Sequence, residues 1–138
     1  MIVKKALVVD DNQNNLLLEK DLLELAGFEV LSAENASDGI QLARKEKPDV
    51  IIMDVRLPDM LGTEAARLLR NDIIPCKVPI IFVTASVMAE GMEDITTMAN
   101  SGFIGKPINT RTFANQIIEL IKKIPGDIHE RKSDNISC

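Results

Sequence analysis

PDVIIMDVRLPDMLG, residues 48–62, decides the fold. Val50, Ile51, Ile52 and Met53 are apolar without alternation. A strand with one face in water alternates apolar and polar residues, whereas a run apolar throughout suits a strand covered on both faces, as in a parallel sheet. Pro48 blocks a helix arriving from the N-terminal side. Asp54 ends the run with a carboxylate. RLPDMLG then reads as a loop. It leads into a helix over 63–70, with Ala65, Ala66, Leu68 and Leu69 on its apolar side.

The same unit recurs on both sides of this stretch. Ala6 to Val9 is a short apolar strand closed by Asp10-Asp11-Asn12. Leu16, Leu17, Leu18, Leu22, Leu23, Leu25 and Ala26 recur at helical spacing over 13–26, with Asn12 as cap and Gly27 as stop. A strand over 28–33 follows. Asn35 then caps a helix to about residue 45, with Asp38 in a capping-box position. Ile80 to Val83 is a further strand, ending at Thr84. A weaker helix is predicted over 90–99, where Gly91, Thr96 and Thr97 lower the propensity. Phe103 and Ile104 centre a short strand before Lys106-Pro107. Asn109 caps a last helix to about residue 123, with Phe113, Ile117, Leu120 and Ile121 on one face. Five βα units predict an α/β fold with a parallel sheet covered on both sides, too few for an eight-stranded barrel. The doubly wound (βα)5 order 2-1-3-4-5 is the expected topology. Residues 1–124 are expected to form the domain and 125–138 a polar, flexible C-terminal tail.

The totals exclude several classes. Net charge is −5, with 21 acidic against 16 basic residues, which disfavours nucleic acid or an anionic membrane surface as main partner. Four Phe with no Trp or Tyr leave no platform for stacking bases. No apolar run reaches the length of a membrane span. The start MIVKKALVVDD lacks a signal-peptide pattern. Cys76 and Cys138 have no metal or disulfide spacing and read as bystander thiols. A cytoplasmic location follows by elimination.

The residues that break the apolar runs carry the chemistry. Asp10 and Asp11 end the first strand, Asp54 the third, Thr84 the fourth and Lys106 the fifth. In an open parallel sheet, ligands bind beyond the carboxyl ends of the strands, where strand order reverses. Order 2-1-3-4-5 makes the first and third strands neighbours there, so three carboxylates share one cleft with a hydroxyl and an ammonium. Such a cluster repels itself unless a cation joins it. Oxygen-only ligands suit Mg2+ better than zinc, with Mn2+ as a substitute. A carboxylate beside that ion is a nucleophile for phosphoryl transfer, with Lys106 and Thr84 meeting the remaining phosphoryl oxygens. Taken singly, Asp10-Asp11 reads more often as a helix start, Asp54 as readily as a turn residue, Thr84 mostly as strand-end filler and Lys106 mostly as a solvated side chain. Their convergence on one rim favours the joint reading.

LVVDDN at 7–12, IIMDVRLPDMLG at 51–62, IFVTAS at 81–86 and SGFIGKPI at 101–108 resemble the receiver domains of response regulators in two-component signalling, the CheY-like superfamily. The resemblance covers about residues 4–123. It implies a flavodoxin-like three-layer sandwich and a phosphorelay switch of stand-alone type, with no turnover of an external substrate. Asp54 would take a phosphoryl group from a phosphohistidine of a histidine kinase or a phosphotransfer protein. Asp11, Asp54 and the backbone carbonyl of Arg56 would ligate magnesium directly, and Asp10 through water. Thr84 would be the switch hydroxyl. Lys106 would pair with Asp54 or its phosphate, before a cis bond to Pro107. Small Ala85 would leave the approach open. A downstream protein would meet the face formed by the helices at 90–99 and 109–123 and the strand between them.

The sequence departs from the family pattern at several places. Phe103 stands where many members carry Tyr, and reads either as a switch or as a core aromatic. Leu61 replaces a residue that is often acidic, and Ala99 one that is often Gly. Arg56 and Ser86 occupy variable positions that tune phosphoryl lifetime in the family. The Leu-rich first helix reads as a docking surface for a kinase bundle or, more simply, as packing against the sheet. Three alternatives stand beside the phosphorelay reading: a phosphorylation-independent binding module, a receiver excised from a longer regulator or hybrid kinase, and a hydrolase of this topology. The last lacks an evident cap domain.

Overall fold

The computed structural model describes residues 4–71, 73–75, 77–85 and 101–123. The helix expected over 90–99, the tail, Ser86, Ala99 and both cysteines lie outside the described residues. The strands are β1 (Lys5–Val9), β2 (Glu29–Ala33), β3 (Val50–Asp54), β4 (Ile80–Thr84) and β5 (Ser101–Gly105). The helices are α1 (Gln13–Leu25), α2 (Ala36–Glu46), α3 (Gly62–Arg70) and α4 (Phe113–Lys123). All strand pairs are parallel, in the order β2-β1-β3-β4-β5, as expected from the sequence.

Side chains of a strand point alternately to opposite faces, so an apolar run feeds two cores. Leu7, Val9, Ile51, Met53, Ile80 and Phe82 face one way, onto Ala36 and Ala43 of α2 and Ala65, Ala66 and Leu69 of α3. Ala6, Val8, Val50, Ile52, Ile81 and Val83 face the other way, onto Leu16 and Leu23 of α1 and Phe113 and Ile117 of α4. The result is three layers, with β3 and β4 wholly buried at the centre.

The helix ends follow their local chemistry. The Asn12 side chain accepts the N–H of Asn15, and that of Asn35 accepts the N–H of Asp38. Gly27 adopts φ 103° after α1, a left-handed conformation that glycine takes without strain. Lys47 closes α2 at φ 52° before Pro48.

Three details differ from the sequence reading. In α3 the buried residues are Gly62, Thr63, Ala65, Ala66 and Leu69, and Leu68 turns outward. Only Leu16 and Leu23 of the α1 leucines are buried, while Leu17, Leu18 and Leu25 are exposed. Asn109 closes a turn instead of starting the helix directly. Its side chain accepts the N–H of Arg111, its carbonyl accepts those of Thr112 and Phe113, and α4 begins at Phe113.

Candidate functional site

Sheet register assembles the rim. β1 and β3 pair Val9 with Met53, so the residues that follow, Asp10 and Asp54, emerge side by side. Asp10 is buried at 1% exposure. Its N–H donates to the Ala33 carbonyl at 3.1 Å, and its Oδ1 accepts the Asn12 N–H at 2.9 Å. Asp11, the next residue, is exposed. One oxygen from each of Asp10, Asp11 and Asp54 lies within 4.8 Å of the other two. Buried Thr84 ends β4 on the same rim. β4 and β5 pair Thr84 with Gly105, and the Lys106 N–H donates to the Thr84 carbonyl at 2.7 Å. Lys106 Nζ then stands 3.1 Å from Asp54 Oδ2 and 3.4 Å from Asp10 Oδ2. The Lys106–Pro107 peptide is cis. The three aspartates and Lys106 are thus brought together, with Thr84 at the neighbouring strand end.

The charges act on one another. Burial raises the Asp54 carboxyl above its ordinary range, more than the Lys106 charge draws it down, and Asp10 adds to the rise. Burial alone would lower the Lys106 ammonium, yet Asp54 and Asp10 together hold it above the ordinary lysine range.

The loop after β3 is pinned at three points. The Arg56 N–H donates to Asp54 Oδ1 at 3.3 Å, and Arg56 bridges to Leu61. The Gly62 N–H donates to the Val55 carbonyl at 2.6 Å. A Cβ at Gly62 would collide with the Asp54 carbonyl oxygen and sit 3.2 Å from Val55 Cα, so only glycine lets α3 start this close to Asp54. Asp59 reaches across to α2, its two carboxylate oxygens accepting the N–H groups of Ala36 and Ser37 at 2.9 Å each.

Glu19, Gly62 and Asp59 were not singled out from the sequence. Glu19 of α1 is buried at 2% exposure. Its carboxyl is pushed up to about 8, by burial first and then by the Asp10 charge, against the pull of Lys106. It lines a cavity of about 300 Å³ with Asn15, Leu18, Ala85, Lys106 and Ile108, next to the acidic cleft. Its spacing from Leu16 and Leu23 on the buried face of α1 is the signal that could have found it. Phe103 is 42% exposed on the edge strand β5.

Three carboxylates offering hard oxygen donors within one ion's reach fit a magnesium-type cation. Soft or nitrogen ligands are not part of this cluster, which disfavours zinc. One of these carboxylates, Asp54, is also the partner of the Lys106 ammonium.

Comparison with known proteins agrees with the fold. The chain is 36% identical over 124 residues to the polar-differentiation response regulator DivK of Brucella anthropi, covering 90% of this chain and 98% of that protein. DivK of Brucella ovis is 35% identical over 126 residues, covering 91% and 99%. The chemotaxis response regulator CheY4 of Vibrio cholerae superposes with a TM-score of 0.80 at 28% identity, covering 86% of this chain and 99% of that one. A CheY-like receiver domain protein from Methanospirillum hungatei gives a TM-score of 0.79 at 28% identity, with coverage of 91% and 99%. Residues 6–118 match the family described as response regulator receiver domain, and the chain belongs to that family.

Proposed function

We propose that this receiver domain accepts a phosphoryl group on Asp54 from a phosphohistidine of a histidine kinase or phosphotransfer protein, in a magnesium-dependent reaction, and signals through altered protein contacts. One observation carries the reading. Asp54 is paired with Lys106 at 3.1 Å inside a group of three carboxylates whose oxygens lie within 4.8 Å.

Asp10, Asp11, Asp54 and the backbone carbonyl of Arg56 would hold the cation, with Asp10 acting largely through water. Bound Mg2+ would offset the charge of the crowded carboxylates and of the phosphoryl oxygens. Asp54 supplies the nucleophile. One of its oxygens bonds to phosphorus as the phosphorus–nitrogen bond breaks, and the imidazole leaves with the electron pair and takes a proton from solvent. Lys106 brings its ammonium to a phosphoryl oxygen. The Thr84 hydroxyl donates to another, so the charge on the group is met from two sides.

The domain is taken as residues 1–124 with 125–138 as a tail, acting as a phosphorelay protein in the cytoplasm without a nucleic-acid or membrane partner. Among the described residues no helix is long and apolar enough to cross a membrane. The exposed side of β5 at Phe103, together with α4, is the face proposed to meet a downstream protein.

Incubation with Mg2+ and acetyl phosphate, followed by intact-mass measurement, should add a single phosphoryl group. Asp54→Asn and excess EDTA should each abolish it. A wild-type mass unchanged both by acetyl phosphate and by a phosphorylated phosphotransfer protein would sink the reading.

A further inference from the structure

We infer that Glu19 is a second seat for the Lys106 ammonium, a positioning residue that lets the lysine leave Asp54 and Asp10 when a divalent cation binds among their carboxylates. The inference rests on the acceptor reading above. It starts from a conflict of charges. Lys106 is committed to Asp54 and Asp10 at 3.1 and 3.4 Å. A cation held by Asp10, Asp11 and Asp54 would sit against the same carboxylates, and at that range it repels the ammonium.

Lys106 and Glu19 both line the cavity of about 300 Å³. Glu19 is 2% exposed, and among the described residues it makes no hydrogen bond. A carboxyl buried this deeply is costly, and Leu16 and Leu23 are the other buried residues on this helix face. Of the charges that act on Glu19, Asp10 and Asp54 oppose its ionised form and Lys106 favours it. Lys106 is therefore the charge complementary to this carboxyl. As the ammonium arrives, the carboxyl gives its proton to solvent and the cavity holds a neutral pair. Phosphorylation of Asp54 then draws the ammonium back to a phosphoryl oxygen.

Titration calorimetry with Mg2+ tests this on the wild type, Glu19→Gln, Glu19→Leu, Lys106→Met and the double variant Glu19→Gln/Lys106→Met. Both Glu19 variants lose a buried acid and are expected to fold, and their agreement separates charge from shape. Each should weaken Mg2+ binding by about tenfold, the scale on which groups outside the ligand set tune metal affinity. In the Lys106→Met background, Glu19→Gln should change affinity by less than about twofold, because no ammonium needs a seat. An equal loss in both backgrounds would mean that Glu19 attracts the cation directly and would overturn the inference. So would an unchanged affinity in both single Glu19 variants. A wild type that binds Mg2+ and accepts phosphoryl with an affinity independent of Glu19 counts against this inference alone. A wild type that binds no Mg2+ overturns both readings.

Discussion

At Glu19 the carboxyl sits inside the α1–sheet interface near the charges of Asp10 and Asp54, and its pKa is pushed from the ordinary 4.5 to about 8. Between those two values the unfolded chain has released this proton while the folded chain keeps it. Stability therefore falls as pH rises from about 4.5 to about 8 and levels off above. One proton corresponds to about 1.4 kcal/mol per pH unit. In EDTA, denaturant unfolding of the wild type at pH 5.5 and 7.5 should differ from that of Glu19→Gln by about 2–3 kcal/mol over the interval. Taking the difference removes the contribution of Asp54, whose raised pKa runs in the same direction. Parallel pH slopes in the two proteins would mean that Glu19 ionises normally. The sequence reading finds Asp10, Asp54, Thr84 and Lys106 because each interrupts an apolar run at a strand end. It passes over Glu19 because a charged residue in a helix is assigned to the solvent side by default. Here the position three after Leu16 and four before Leu23 places it inward.

Helix α2 is held at its N-terminus by two carriers of oxygen, and only one is local. Asn35 caps the Asp38 N–H from within the helix start, whereas Asp59 serves Ala36 and Ser37 from the loop after β3. These N–H groups have no partner inside the helix, and a carboxylate there also suits the helix dipole. The Ala36 N–H, with that of Ser37, holds the Asp59 carboxyl below its ordinary range. A depressed carboxylate contributes stability above its unfolded pKa and loses it as pH falls through the folded value. Asp59→Ala should lower stability at pH 7 by about 1 kcal/mol, the usual cost of a lost cap. The gap to wild type should close in strong acid, measured by denaturant unfolding. A gap that is the same in acid would assign the loss to something other than the carboxylate. Local patterns expose Asn35 as a cap, but a contact between residues 23 or 22 positions apart leaves no periodic signal. Leu68 and Asn109 have local causes instead. A nine-residue helix spans few turns of the 3.6-residue period, so the edge of its apolar side is poorly defined. A turn before α4 competes with the cap assignment on equal local terms.

On the scale of the whole molecule, five parallel strands send all their carboxyl ends to one rim, and the order reverses between β2-β1 and β3-β4-β5. That order is legible because five successive βα units make it the natural doubly wound choice, and burial agrees with it: β3 and β4 are buried throughout, whereas β2 and β5 are mixed, as edge strands are. The geometry crowds three carboxylates at the switch point of a protein whose net charge is already −5. Lys106 reaches two of them, Asp10 and Asp54. The metal-free fold thus carries repulsion that the unfolded chain relieves by separating the charges. A divalent cation that binds the assembled rim and not the unfolded chain should stabilise by mass action. Each tenfold rise in Mg2+ beyond its dissociation constant adds about 1.4 kcal/mol. The melting temperature should therefore climb by several degrees per decade of Mg2+, followed by circular dichroism at constant ionic strength. NaCl at matched ionic strength should give little of this rise, because screening lacks the geometry of coordination. Asp11→Asn should flatten the climb, since it removes the exposed member of the trio without disturbing a buried contact. A rise of equal slope in wild type and Asp11→Asn would place the stabilising ion elsewhere on the acidic surface and not among Asp10, Asp11 and Asp54.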